Sequence, residues 1–228
     1  MKLYFIRHGD PDYKNDCLTE LGRKQAAAVA ERLSATGIEA IYSSTNGRAM
    51  QTAEYTAGRL GLPITPLDYM REIGWKPIGD EPLPANGNPW NIADIFAAEG
   101  RTLRDPEWRT LYPFSMSVVS ERYPLVTGRF DELLSDLGYQ REGEYYRATG
   151  THPYHTVAIF SHGGSSSAVL SHILNIPFPQ VCGSFRLSCT SVTVVELSAA
   201  AGKAACPRLT LLNDMRHTEE FSATVYGV

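Results

Sequence analysis

Apolar positions along this chain come in two alternating rhythms. Leu3 to Ile6 is a short unbroken apolar run, the length of a buried strand. Leu21, Ala28, Val29 and Leu33 then recur close to a helical period. The segment from about Glu20 to Leu33 therefore reads as a helix, with Thr19 as N-cap and Glu20 in the first turn, where the helix dipole favours an acid. After Gly37, the stretch Ile38 to Tyr42 is apolar apart from Glu39 and reads as a second strand. A helix from about Asn46 to Leu60 stops at Gly61, and a short strand follows from Pro63 to Leu67, weakened by Pro66. The rhythm resumes late in the chain. Val157 to Phe160 reads as a strand and Ser165 to Leu174 as a helix ending near Asn175. Ser188 to Leu197 holds the β-branched run Val192-Thr193-Val194-Val195, and Leu209 to Leu212 reads as a last strand. A hairpin-like loop at 199–205 turns at Gly202. Strands alternating with helices predict an α/β fold, a three-layer sandwich with a mostly parallel central sheet flanked by helices.

The middle of the chain breaks this rhythm. From Trp75 to Pro113 it is rich in proline and glycine and carries all three tryptophans, Trp75, Trp90 and Trp108. Asn91 to Glu99 suits a short helix. Ser120 to Leu137 suits a longer one, with Phe130, Leu133, Leu134 and Leu137 on one side and Pro124 near its start. The pattern reads as a single domain over residues 1–228 with a cap insertion at about 76–150. That insertion either covers the active edge or uses its aromatics to build a satellite core.

Composition narrows the class. The 228 residues are 43% hydrophobic, enough for a sizeable core and against wholesale disorder. A net charge of −4 argues against nonspecific nucleic-acid binding, so an anionic ligand depends on a local cationic pocket. Cys17, Cys182, Cys189 and Cys206 follow no Cys-x-x-Cys or zinc spacing and read as reduced and mostly packed, which points to a cytoplasmic protein. Neither a signal peptide nor a membrane span is expected.

The chemistry concentrates at strand ends. Leu3 to Ile6 stops at Arg7-His8-Gly9, and Val157 to Phe160 stops at Ser161-His162-Gly163-Gly164. Ile38 to Tyr42 leads to Ser43-Ser44, with Arg48 four residues on. Parallel strands bring such ends to one edge of a sheet, where α/β proteins place ligands. Arginine recognises phosphate by a planar fork of donors, histidine stays neutral and nucleophilic near pH 7, and glycine admits a close backbone. Arg48 falls in the first turn of its helix, where free N–H groups add to an anion site. Read alone, an Arg-His pair is as well explained as a polar strand end; the repetition points to a phosphoryl-binding nucleophile at His8.

Arg7-His8-Gly9, Ser43-Ser44 before Arg48, and Ser161-His162-Gly163, in that order, resemble the histidine phosphatase superfamily, the branch of phosphoglycerate mutases and broad-specificity phosphatases. Leu212-Asn213-Asp214 with His217 is similar to the family's closing strand and turn. The resemblance covers residues 1 to about 75 and about 155 to 217; the middle, about 76 to 150, carries no motif that resembles a family. It implies attack by His8 to give a phosphohistidine, with Arg7, Arg48, His162 and the Gly163 N–H holding the phosphoryl oxygens. It also implies that Glu72, in Met70-Arg71-Glu72-Ile73, is the proton donor; otherwise Glu72 reads as a surface acid paired with an arginine. Family members carry a phosphate-contacting asparagine soon after Arg-His-Gly. Here Asn15 stands one residue further on, and Asp10 and Asp12 add negative charge nearby.

The expected activity is metal-independent phosphomonoester hydrolysis of a small phosphorylated substrate, with no cofactor, nucleic acid or membrane partner. Mutase-type transfer at the same site and a catalytically silent phospho-ligand or protein-binding module are the alternatives. The mutases' longer asparagine, phenylalanine, threonine and glycine signature is absent. His152 and His155 suit a solvated loop, and His172 suits a packed or exposed helix position.

Overall fold

The computed structural model describes residues 1–218. Strand β1 (Lys2–Arg7) leads through a short pair, β2 (Pro11–Asp12) and β3 (Cys17–Leu18), into α1 (Glu20–Leu33), β4 (Ala40–Ser44), α2 (Gly47–Leu60) and β5 (Ile64–Leu67). Then come α3 (Pro89–Ala98), α4 (Val119–Asp136), β6 (Tyr139–Glu142), β7 (Tyr145–Ala148), β8 (Thr156–Ser161), α5 (Gly163–Leu174), α6 (Phe178–Ser184), β9 (Val192–Glu196), β10 (Ala204–Ala205) and β11 (Arg208–Asp214). Several boundaries follow local chemistry. Thr19 caps α1 by accepting the Gly22 N–H at 3.0 Å, and α2 ends at Gly61 in the left-handed conformation.

The main sheet runs β11-β9-β1-β8-β4-β5. The neighbours β1, β8, β4 and β5 are parallel, while β9 runs antiparallel to β1 and β11 antiparallel to β9. Pro66 is tolerated because β5 is an edge strand. Alternate residues feed two cores, because successive strand side chains point to opposite faces. Leu3, Phe5, Val157 and Ile159 join a large cluster with Phe130 and Leu134 of α4 and Leu170 of α5. Ile6, Ala158 and Phe160 join a smaller one with Val29 and Leu33 of α1 and Ala53 of α2. Those two cores make the α/β three-layer sandwich expected from the sequence. Register sets Arg7 beside Ser161, and Ser43 beside Phe160, so three strand ends finish together.

The middle segment differs from a simple cover. Its helix α4 is part of a layer: Phe130 packs on Phe5 with ring centroids 5.8 Å apart, and Trp108 meets Phe114, Tyr123 and Phe178 edge-on or tilted within the same large core. Trp75 and Trp90, by contrast, line the cavity described below. Besides the short pair β2–β3, a hairpin and a helix escaped the sequence reading. The hairpin β6–β7, turning at Gly143-Glu144, pairs with Ala204–Ala205 in a separate three-stranded sheet, so the loop at 199–205 contains a strand beyond its turn at Gly202. Helix α6 follows Pro177. The strand expected at 38–42 lies two residues later, which draws Ser43 and Ser44 into it. All four cysteines are unpaired; Cys182 is buried, Cys17 and Cys189 are half-buried, and Cys206 is exposed, so fewer are packed than expected. Among the described residues no helix is long and apolar enough to cross a membrane.

Candidate active site

Three of the four parallel strands each bring a polar side chain to the shared edge. His8 follows β1, His162 follows β8 as the N-cap of α5, and Ser44 ends β4. The His8 and His162 rings lie 5.1 Å apart, centroid to centroid, and both are buried. Gly9, next along, packs where a Cβ would fall 2.6 Å from the Gly22 carbonyl oxygen, so only glycine lets the chain leave β1 this close to α1.

Hydrogen bonding fixes both imidazoles. His8 Nδ1 lies 2.7 Å from the Gly9 carbonyl oxygen, which can only accept, so Nδ1 carries the proton and Nε2 keeps its lone pair. Burial drives the His8 pKa down to about 3, and Arg7 and Arg48 push the same way. The ring is neutral, and burial outweighs the arginines to which the sequence reading gave that task. Ser44 Oγ accepts the Asn46 N–H at 3.2 Å and lies 2.8 Å from His162 Nε2. Among the bonds Ser44 makes, Nε2 is the one acceptor for its hydroxyl proton, and donation to it leaves the His162 proton on Nδ1. Burial, followed by His8 and the arginines, also holds His162 well below the usual imidazole range.

Three buried donors here have no hydrogen-bond partner among the described residues: Arg7 Nε, Arg48 Nε and His162 Nδ1. Their guanidiniums are oriented by other bonds. Arg7 Nη1 donates to the Leu187 carbonyl at 2.6 Å. Arg48 Nη1 donates to Asp16 Oδ1 at 2.5 Å, and the Tyr13 ring lies 5.3 Å from the Arg48 guanidinium. Asp16 also accepts from the Gly47 N–H at 2.8 Å and the Asn46 amide at 3.1 Å, so one carboxylate serves both the start of α2 and its arginine. Burial alone would raise the Asp16 pKa, but these three bonds lower it.

Glu72 sits on the start of α5. Its Oε1 accepts from Ile73, Gly164 and Ser165 N–H groups at 2.9, 3.1 and 3.2 Å. Burial raises its pKa, and the Ile73 bond, the two arginines and the Ser165 bond hold that rise back. A Cβ on Gly164 would fall 2.1 Å from Trp75 Cη2 and 2.5 Å from Glu72 Oε1, so a glycine at this position lets both side chains pack on the helix. A cavity of about 840 Å³ opens over this edge, lined by Arg7, Glu72, Gly163, Trp75 and Trp90 among others. The two indoles meet edge to face with centroids 5.1 Å apart.

The structure thus brings together Arg7, His8, Arg48, Glu72, His162 and Gly163. It does not bring Asn15 there. That side chain is exposed and donates to Asp12 Oδ2 at 2.7 Å, because Asp12 collects the loop's Lys14 and Asn15 N–H groups as well. The next residue, Asp16, makes the contact with Arg48 instead. Sequence reasoning missed Asp16 and also the loop carbonyl of Leu187, neither of which carries a periodic or motif signal. Three other histidines lie elsewhere: His152 stacks on Tyr139, His155 donates its N–H to Glu39, and His172 Nε2 lies 2.7 Å from Asp131.

The sequence profile of the histidine phosphatase superfamily (branch 1) matches residues 3–209. A probable phosphoglycerate mutase GpmB of Yersinia pestis (strain Pestoides F) is 28% identical over 122 residues, 48% of this chain and 57% of that relative, so the match spans little more than half of the relative's length. A solved mycobacterial glucosyl-3-phosphoglycerate phosphatase is 26% identical with a TM-score of 0.63, over 93% of this chain and 98% of that one. A phosphoserine phosphatase of Entamoeba histolytica shares the fold at 21% identity, TM-score 0.62, over 95% and 98% of the two chains.

Proposed function

Since the chain belongs to the histidine phosphatase superfamily, we propose that it is a metal-independent phosphomonoester hydrolase working through a phosphohistidine on His8. The observation that carries this reading is the set of unpartnered buried donors on Arg7, Arg48 and His162 beside a neutral imidazole whose Nε2 lone pair is free. A tetrahedral oxyanion satisfies such donors, and phosphoryl transfer needs charge stabilisation and positioning above all.

His8 Nε2 attacks phosphorus while the ester oxygen departs with the Glu72 proton. Arg7, Arg48 and His162 take the equatorial oxygens, and the free N–H at the start of α5, on Gly163, adds to them. Glu72, now a carboxylate, then removes a proton from the water that attacks the phosphohistidine, which regenerates His8 and releases inorganic phosphate. The raised Glu72 pKa favours the protonated acid that the first step requires. Asn15 takes no part. A cytoplasmic setting goes with the four unpaired cysteines.

The substrate class is a small phosphorylated molecule, by analogy with the structurally similar glucosyl-3-phosphoglycerate phosphatase and phosphoserine phosphatase. The test is a panel of phosphomonoesters assayed for phosphate release with and without a chelator, alongside alkaline quenching to trap labelled phosphohistidine. Release that survives chelation, with label lost in His8→Ala, is expected. Release abolished by the chelator counts against the mechanism. An isomerised phosphoester without free phosphate identifies a mutase instead, and a His8→Ala protein that behaves as wild type identifies a binding module.

A further inference from the structure

Thr190 is buried and its backbone stands at φ +56°, a left-handed conformation that β-branched residues rarely adopt. Glycine would sit there without strain, so the threonine side chain calls for a reason. Its bonds supply one. The Thr190 N–H is shared between the carbonyl oxygens of Arg7 at 3.0 Å and His8 at 3.2 Å. Its hydroxyl donates to the Cys189 carbonyl at 2.7 Å and lies 3.1 Å from His217 Nε2. The one hydroxyl proton is spent on Cys189, so His217 Nε2–H must be the donor. The other ring nitrogen agrees: His217 Nδ1 faces Arg32 Nη1 at 3.2 Å, and a guanidinium can only donate. Proton direction therefore closes along the whole chain from Arg32 through His217 and Thr190 to Cys189. The same loop is tied a second time, by Asn213 Oδ1 accepting the Ser188 N–H at 2.7 Å, and it presents the Leu187 carbonyl to the Arg7 side chain.

We propose that Thr190 and His217 are positioning residues that hold the end of β1 so that His8 meets phosphorus at the attacking distance. The inference rests on the phosphohistidine reading above. The pair reaches the nucleophile through the Thr190 N–H on the Arg7 and His8 carbonyls, and neither Thr190 nor His217 lines the cavity, so both act through backbone and not on substrate. Loss of the clamp should slow attack and spare phosphate binding.

The test uses the full chain and p-nitrophenyl phosphate. Thr190→Gly relaxes the backbone and deletes the hydroxyl; His217→Leu deletes the donor. For both, kcat and the single-turnover rate of enzyme phosphorylation should fall about tenfold or more, while KM and inhibition by inorganic phosphate stay within about twofold. Thr190→Ser and His217→Gln, which keep the hydroxyl and an N–H, should recover kcat to within about threefold of wild type. Thermal melts accompany each variant; if His217→Leu fails to fold, Thr190→Gly and the two conservative variants decide. Folded Thr190→Gly with wild-type kcat overturns the clamp, as does a kcat loss that only tracks the fraction of unfolded protein or is not rescued by the conservative pair. If wild type is active, His8→Ala is inactive and the clamp variants are unchanged, the clamp alone fails. If wild type turns over nothing, the phosphatase reading and the clamp fall together.

Discussion

The His8 and His162 imidazoles stand 5.1 Å apart and tilted 56° to each other, each buried where one of two adjacent parallel strands ends. Two imidazolium ions at that spacing, beside Arg7 and Arg48, would repel strongly in a site with little water. The pair is held neutral by the fold, and that has a consequence for stability.

The His8 pKa lies at about 3 and that of His217 at about 4, and burial depresses His162 as well, whereas an unfolded histidine titrates near 6.5. Between these values the unfolded chain binds more protons than the folded one, so stability rises with pH from about 3 to about 6.5 and is fully present above that. Glu72 has the opposite sign: its raised folded pKa adds stability at low pH that is lost as pH rises through that pKa. With three histidines against one carboxylate, the urea midpoint at pH 7 should exceed that at pH 5. His162→Asn should flatten the difference; an unchanged slope would refute the assignment.

Glu72→Gln keeps the shape of the side chain and removes the proton donor. Its kcat on alkyl phosphates should fall roughly 10²–10⁴-fold. In the single-turnover rate of enzyme phosphorylation the loss should be much smaller for p-nitrophenyl phosphate, whose leaving group needs no proton, whereas the later attack of water loses its base with either substrate. Equal losses in the phosphorylation rate on both substrates would assign Glu72 a structural task.

Asp16→Ala removes the carboxylate shared by Arg48, Asn46 and the first N–H of α2. The lost helix-start contact should cost about 0.5–2 kcal/mol, read as a lowered urea midpoint. The freed guanidinium should raise KM several-fold. A variant with unaltered KM would show that Arg48 finds its orientation without Asp16.

Gly164→Ala places a methyl group 2.1 Å from Trp75 Cη2 and 2.7 Å from Ile73 Cγ2. Overpacking should cost about 1–3 kcal/mol, shift tryptophan fluorescence and lower kcat through Glu72. Gly163→Ala is the control, because its Cβ would meet nothing closer than 3.6 Å. Its stability should match wild type.

Much of the candidate site was readable in the chain. Arg7, His8, Arg48, His162 and Gly163 announce themselves because each follows a strand or opens a helix, and strand and helix periods are local properties. The cap at Thr19 and the stop at Gly61 are local in the same sense, and both stand where the sequence puts them. The misreadings fall where no period operates. In the loop after Gly9 the sequence pointed to Asn15, but a local Asp12 bond holds that amide outward and a left-handed turn at Asp16 sends the next carboxylate to Arg48. The hairpin at 139–148 gains its third strand from Ala204–Ala205, a pairing no local window contains.

Sequence alone therefore determined the α/β alternation, the strand ends and the residue types gathered at them, since those depend on contacts within a few residues. Tertiary structure decided the rest: which proton each imidazole carries, which carboxylate faces which guanidinium, and how Thr190 reaches the backbone of His8. These depend on register between distant segments, where a shift of one residue reverses the direction of a side chain.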